Sequence, residues 1–156
     1  DADLGVVQAC AFALGNIGSA EAINSLESLL DDPEPQVRLH SVIALGKIGG
    51  SSTVPLLKRM LTDIEPNVRW DAAIGLAKQK DSSGRSILLD LLNRKYLNSF
   101  PNIDEKEKVQ VMLVAISVAH FIQNPELKTR LMDINSNENN LKIREAARIA
   151  LGKFII

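Results

Sequence analysis

The tripeptide Ala13-Leu14-Gly15 returns as Ala44-Leu45-Gly46, as Gly75-Leu76-Ala77 and as Ala150-Leu151-Gly152, each time toward the end of a helical pattern. The first three copies stand 31 residues apart, and the last stands 75 residues beyond the third. A fixed period of this size constrains the fold strongly, because each unit is one supersecondary element that buries its apolar face only against its neighbours. The long interval holds two further periods plus about thirteen residues, so one lengthened unit lies inside it.

Close stacking of such units calls for small aliphatic side chains. Hydrophobic residues make up 46% of the 156-residue chain and aromatic ones only 4%, which leaves Ala, Leu, Ile and Val to supply the core. A formal charge of −1 gives no global attraction to nucleic acid or to an anionic membrane. The longest apolar-rich stretch, Val111 to Ile122, is too short to cross a bilayer and contains His120. The chain opens inside a repeat with no basic segment leading into an apolar one, which suggests an excerpt of a longer array. One cysteine, Cys10, forms no internal disulfide, and cytoplasmic placement is the default expectation. Cys10 also aligns with Ser41, Ala72 and Ala147, all small residues at one packing position, so it is expected to be buried.

The second unit is the clearest, and it reads as helix, turn, helix. Val37, Ser41, Ala44, Leu45 and Ile48 form the stripe of a buried amphipathic helix, and Gly49-Gly50 ends it. A second helix buries Val54, Leu57, Met60 and Leu61; one period earlier stand Ile23, Leu26, Leu29 and Leu30, and one period later Arg85, Leu88, Leu91 and Leu92. The units are joined by acidic turns, Asp32-Pro33-Glu34-Pro35 and Asp63-Ile64-Glu65-Pro66, whose last proline suits a first-turn helix position. Val37-Arg38, Val68-Arg69 and Ile143-Arg144 follow at one register. These arginines are expected to form a ladder of hydrogen bonds to the acidic turns.

The lengthened fourth unit takes two insertions. About eight residues fall in the segment 94–104, which joins basic, aromatic and proline residues; about five fall in the Asn-rich stretch from Asp133 to Asn140, read as a loop. That phasing puts Val111, Val114, Ala115 and Val118 on the buried stripe of the unit's first helix, and Leu127 with Leu131 on that of its second. A fifth unit stops after one helix. Its stripe of Ile143, Ala147, Ala150 and Leu151 is expected to lack a cover, which opens a route to self-association through uncapped ends. The chain then reads as one domain over 1–156, with units at 1–32, 33–63, 64–94, 105–134 and 141–156.

A Val-Arg opening, a small-x-x-Ala-Leu-Gly-x-Ile-Gly exit and an acidic turn resemble the HEAT-repeat family, in particular the short HEAT-like repeats of phycobilin lyases. The string Val68-Arg69-Trp70-Asp71-Ala72-Ala73 is similar to the lyase-type pattern. The resemblance covers most of the chain. It implies an all-α fold, a right-handed α-α superhelix of about four and a half two-helix repeats, with the second helices lining a concave face. It also implies a choice of roles: protein-binding scaffold, bilin-lyase or chaperone-lyase subunit, or HEAT-type DNA-binding and repair protein.

Catalytic constellations are missing from the sequence. There is no His-Glu-x-x-His, no cysteine pair, no Gly-x-Ser-x-Gly and no phosphate loop, and His40 and His120 stand two repeats apart as partly exposed or satisfied helix residues. No metal and no cofactor are implied. The exposed columns of the second helices, Glu27 with Lys58 and Ser28 with Arg59 and Asp90, change sign from unit to unit, which suits a protein or peptide partner better than a nucleic acid. Candidate anchors are Trp70, read as outward-facing, with Tyr96 and Phe100 in the 94–104 insertion. The expectation is a non-catalytic scaffold that binds a partner on the concave face and at that insertion.

Overall fold

The computed structural model describes residues 4–155. Among these residues it holds ten α-helices and no strand: α1 (Leu4–Ile17), α2 (Ala20–Ser28), α3 (Pro35–Ile48), α4 (Val54–Met60), α5 (Pro66–Lys78), α6 (Arg85–Leu91), α7 (Arg94–Asn98), α8 (Glu105–Ala119), α9 (Pro125–Asn137) and α10 (Leu141–Leu151). In chain order these are the helix pairs of an α-α repeat, with α7 between the third and fourth pairs. They fall into two compact units, one ending at Gly84 and the other beginning at Arg85.

In the first unit α1, α3 and α5 pack side by side, with α2 against α1 and α3 and α4 against α3 and α5. The recurring tripeptide sits at the crossings. A Cβ added at Gly15 would lie 3.4 Å from the Ala44 Cα, and one at Gly46 would lie 3.2 Å from the Gly75 Cα, so the period of 31 keeps small residues where backbones meet. Contact is closer still at Gly84, in the 3-10 turn Ser82–Gly84, where a Cβ would stand 2.7 Å from Ala73. Around these crossings Leu26, Leu45, Leu57 and Leu76 are fully buried, each worth about 2 kcal/mol of transfer free energy.

The acidic turns work locally. Asp32 Oδ1 accepts from the Glu34 N–H and Asp63 Oδ1 from the Glu65 N–H, both at 2.8 Å, and Pro35 and Pro66 then open α3 and α5 where no N–H is needed. Gly49 and Gly50 close α3 at φ +68° and +87°, a region open to glycine. The arginine ladder takes a form other than acid to arginine throughout. Arg69 donates to the carbonyls of Asp63 at 2.6 Å and Ile64 at 2.9 Å, and Arg144 to the Glu138 carbonyl at 2.6 Å; Arg38 alone among the three also forks onto a carboxylate, that of Asp63. A planar guanidinium suits both uses, because its donors span two acceptors at once.

In the second unit α6, α8, α9 and α10 enclose a core of Leu88, Leu91, Leu97, Met112, Ile116, Leu127, Leu131 and Ile143. Three expectations change here. The 94–104 segment is not a plain loop, because Asn93 accepts from the Lys95 N–H and starts α7. The stretch from Asp133 continues α9 as far as Asn137, and Asn140 then caps α10 through the N–H groups of Lys142 and Ile143. In α8 the deepest residues are Met112, Ala115, Ile116, Val118 and Ala119, while Val111 and Val114 are half-buried. A capping box between Asp104 and Glu107 fixes where α8 begins, and with it the face it buries.

The α10 stripe is also covered. Ile143 and Ala147 are fully buried and Ala150 is 4% exposed, against α8 and α9. The face that α10 turns to solvent instead carries Glu145 and Arg148, paired with each other. Arg148 takes the repeat position at which Ala11, Val42 and Ala73 are buried, and Ile149 beside it is 51% exposed, so this face mixes a polar pair with one apolar side chain.

Candidate interaction surfaces

Residues one period apart on the first helices form columns on the outer face of the first unit. Phe12 is 63% exposed and Ile43 47%, whereas Ile74, next in the column, is 7% exposed; Asn16, Lys47 and Lys78 run alongside. Lys47 Nζ lies 4.1 Å above the Phe12 ring and donates to Asn16 Oδ1, which joins α3 to α1 across this face. Between α3 and α5 is a groove of about 650 Å³ lined by Ile43, Lys47, Asp71, Ile74 and Lys78. Burial pushes the Asp71 carboxyl up to about 6, against the opposing pull of Lys78 and His40.

The second-helix columns present a different chemistry. Glu27, Lys58, Arg59 and Asp90 are exposed, as the repeat predicts. Lys58 Nζ, however, sits 2.8 Å from Asp81 Oδ2, and Arg59 Nη2 3.5 Å from Asp31 Oδ2. Partial burial alone would raise the Asp81 carboxyl, but donors from Lys58 and Ser83 hold it down to about 2. Both cations thus tie α4 to neighbouring turns. A partner at these positions would have to compete with acids already in place.

The 94–104 segment is organised by Arg94. Its Nε lies 3.0 Å from Glu138 Oε2 and its Nη2 3.1 Å from Glu138 Oε1, while Nη1 pairs with Glu105. Burial alone would raise the Glu138 carboxyl; the Arg94 guanidinium and the Asn140 N–H hold it below the usual range instead. Arg94 therefore fastens the start of α7 to the α9–α10 turn and to the first turn of α8. Tyr96 and Phe100 meet edge to face, with centroids 5.1 Å apart, and both are half-buried. A cleft of about 740 Å³ is lined by Arg94, Lys95 and Arg130 together with Glu105, Asp133 and Glu138.

The family profile described as HEAT repeats matches residues 1–65 and, overlapping them, 28–97. These spans cover more than half of the chain, and the first three helix pairs, the glycine crossings and the turns held by Arg38 and Arg69 lie inside them. The chain belongs to the HEAT-repeat family. A search of curated proteins returns no match to it. HEAT repeats generally build protein-interaction scaffolds, which matches a surface of columns better than a single enclosed site.

Within this HEAT-repeat framework two expected side chains change place. Trp70, read as an outward anchor, is only 3% exposed, so the ring is core material and offers no surface to a partner. Cys10, expected inside, is exposed. Ser41 and Ala72 are covered because α1 packs on α3 and α3 on α5, whereas among the described residues no helix takes that place over α1. His40 Nδ1 is satisfied by the Gln36 carbonyl at 2.7 Å. His120 Nδ1 is buried without a hydrogen-bond partner among the described residues, and burial with the nearby Lys153 lowers its pKa. Among the described residues there is no cluster of metal-ligating side chains, and no helix is long and apolar enough to cross a membrane.

The first-helix columns were missed by sequence reasoning although their signal was present. Phe12, Ile43 and Ile74, like Asn16, Lys47 and Lys78, are related by the same 31-residue step as the tripeptide.

Proposed function

We propose that the chain is a non-catalytic protein-binding scaffold whose main contact surface in the first unit is the outer face of its first helices. The supporting observation is the exposed pair Phe12 and Ile43, two large apolar side chains in one repeat column, flanked by lysines. Exposed apolar side chains in register beside charges are the makings of an anchor and rim. On the second helices Lys58 and Arg59 already answer to Asp81 and Asp31, and in the 94–104 segment Arg94 answers to Glu138 and Glu105. Those places serve the partner as secondary contacts through Glu27, Asp90, Tyr96 and Phe100.

The experiment compares affinity purifications with three baits: the unaltered chain, Phe12→Ser with Ile43→Ser, and Arg59→Glu with Phe100→Ala. The scaffold reading expects a reproducible partner set that the first pair of substitutions depletes strongly and the second only modestly. Equal capture by all three baits would contradict it.

A further inference from the structure

The groove between α3 and α5 has a floor of bare backbone, because Gly46 and Gly75 meet there without side chains. Ile43 and Ile74 form its apolar walls, and Lys47 and Lys78 both line it with exposed side chains. Lys47 gives one of its three ammonium donors to Asn16, which leaves two for a ligand. Lys78 makes no hydrogen bond or ion pair among the described residues. Asp71, half-buried in the same groove, likewise has no hydrogen-bond donor among them, so it can accept one from outside.

These groups complement one kind of occupant. A bulky apolar side chain lies between the two isoleucines, carboxylates to either side meet the lysines, and a backbone N–H beside the anchor meets Asp71. A cationic segment would face two ammonium groups and one carboxylate, and a purely acidic one would leave the apolar walls wet. We infer that this groove binds an acidic segment of a partner protein that carries one bulky apolar anchor between carboxylate side chains. The inference rests on the scaffold reading of the same face and adds the chemistry of the partner.

The test is a fluorescence-anisotropy titration of the full chain with a short fluorescein-labelled peptide in which glutamates flank a central leucine. Companion peptides replace the leucine by alanine, or the glutamates by lysines. The glutamate–leucine peptide is expected to bind saturably, and Lys47→Glu with Lys78→Glu to weaken it at least about tenfold while the circular dichroism stays the same. Loss of the leucine is expected to weaken binding to a similar extent, and the lysine peptide to bind least. Undiminished binding by the double variant, preference for the lysine peptide, or no saturation below about 1 mM would overturn the inference. If it is overturned while Phe12→Ser with Ile43→Ser still depletes captured partners, only the assigned peptide chemistry is wrong, and the scaffold reading stands.

Discussion

Arg38 and Asp63 face each other across one full repeat, Nε to Oδ2 at 2.8 Å and Nη2 to Oδ1 at 3.0 Å, with side chains only 10% and 6% exposed. The same guanidinium donates through Nη1 to the carbonyls of Asp32 and Pro33, so one side chain holds its own turn and the next. Removing one partner of so enclosed a pair leaves the other charge buried. Arg38→Ala is expected to destabilise the chain by about 3 kcal/mol in urea denaturation. The Arg38 hydrogen bonds outweigh the effect of burial and hold the Asp63 carboxyl below its ordinary value. Its contribution is therefore present above the unfolded carboxylate pKa and is lost as pH falls through the lower folded one. A variant as stable as the parent at neutral pH would show the pair to be incidental.

Gly84 rests on Ala73 with no room for a methyl group, since an added Cβ would stand 2.7 Å from the alanine Cα. Gly84→Ala must push the 3-10 turn away from α5, and a loss of about 2 kcal/mol is expected in thermal or urea unfolding. A change below about 0.5 kcal/mol would mean that this contact is looser than the structure shows.

Asp71 acts in the opposite sense to Asp63. Burial raises its folded carboxyl to about 6, so the folded state holds its proton more tightly than the unfolded chain does. The ionised group therefore weakens folding as pH rises from the unfolded value of about 4 toward the folded one, and fully above it. Asp71→Asn is expected to stabilise the chain at pH ~7.5 by on the order of 1 kcal/mol, discounted for partial exposure, and to have little effect near pH ~4. Paired denaturation curves at the two values check this; the same difference at both would refute it.

Arg94 offers a test confined to the second unit. Arg94→Met removes the cation from Glu138, whose side chain is only 10% exposed, and from Glu105. About 2 kcal/mol of stability should go with it, and amide exchange should speed up first in α7 and at the α9–α10 turn. If exchange rises instead in α3 or α4, the arginine is acting elsewhere.

The period of 31 made most of the fold legible, because Leu26, Leu57 and Leu88 or Ala44 and Gly75 repeat the same burial at the same step. Where it failed, the reason is local. Trp70 shares its column with Leu39 and Gln8, a mix that suits an outward position, but a column shows which residues correspond and not how deep each one lies. Cys10 corresponds to buried residues yet lacks their cover among the described residues. The α10 stripe, expected to lack a cover, is buried at Ile143, Ala147 and Ala150, and the polar pair Glu145 and Arg148 at the alternate positions is the sequence signal for which side faces solvent. At Lys58, Arg59 and Arg94 the sequence showed the charges but not their partners, which arrive from 23 residues later, 28 earlier and 44 later respectively.

The first-helix face, rather than the second-helix columns, is proposed to hold the partner. Its most direct measurement is site-specific photo-crosslinking, with a photoreactive amino acid placed at Ile43, Lys58 or Phe100 in turn and the crosslinked products resolved by mass. The partner is expected to be captured efficiently from position 43 and weakly from 58 and 100. Capture from 58 or 100 with none from 43 would contradict it.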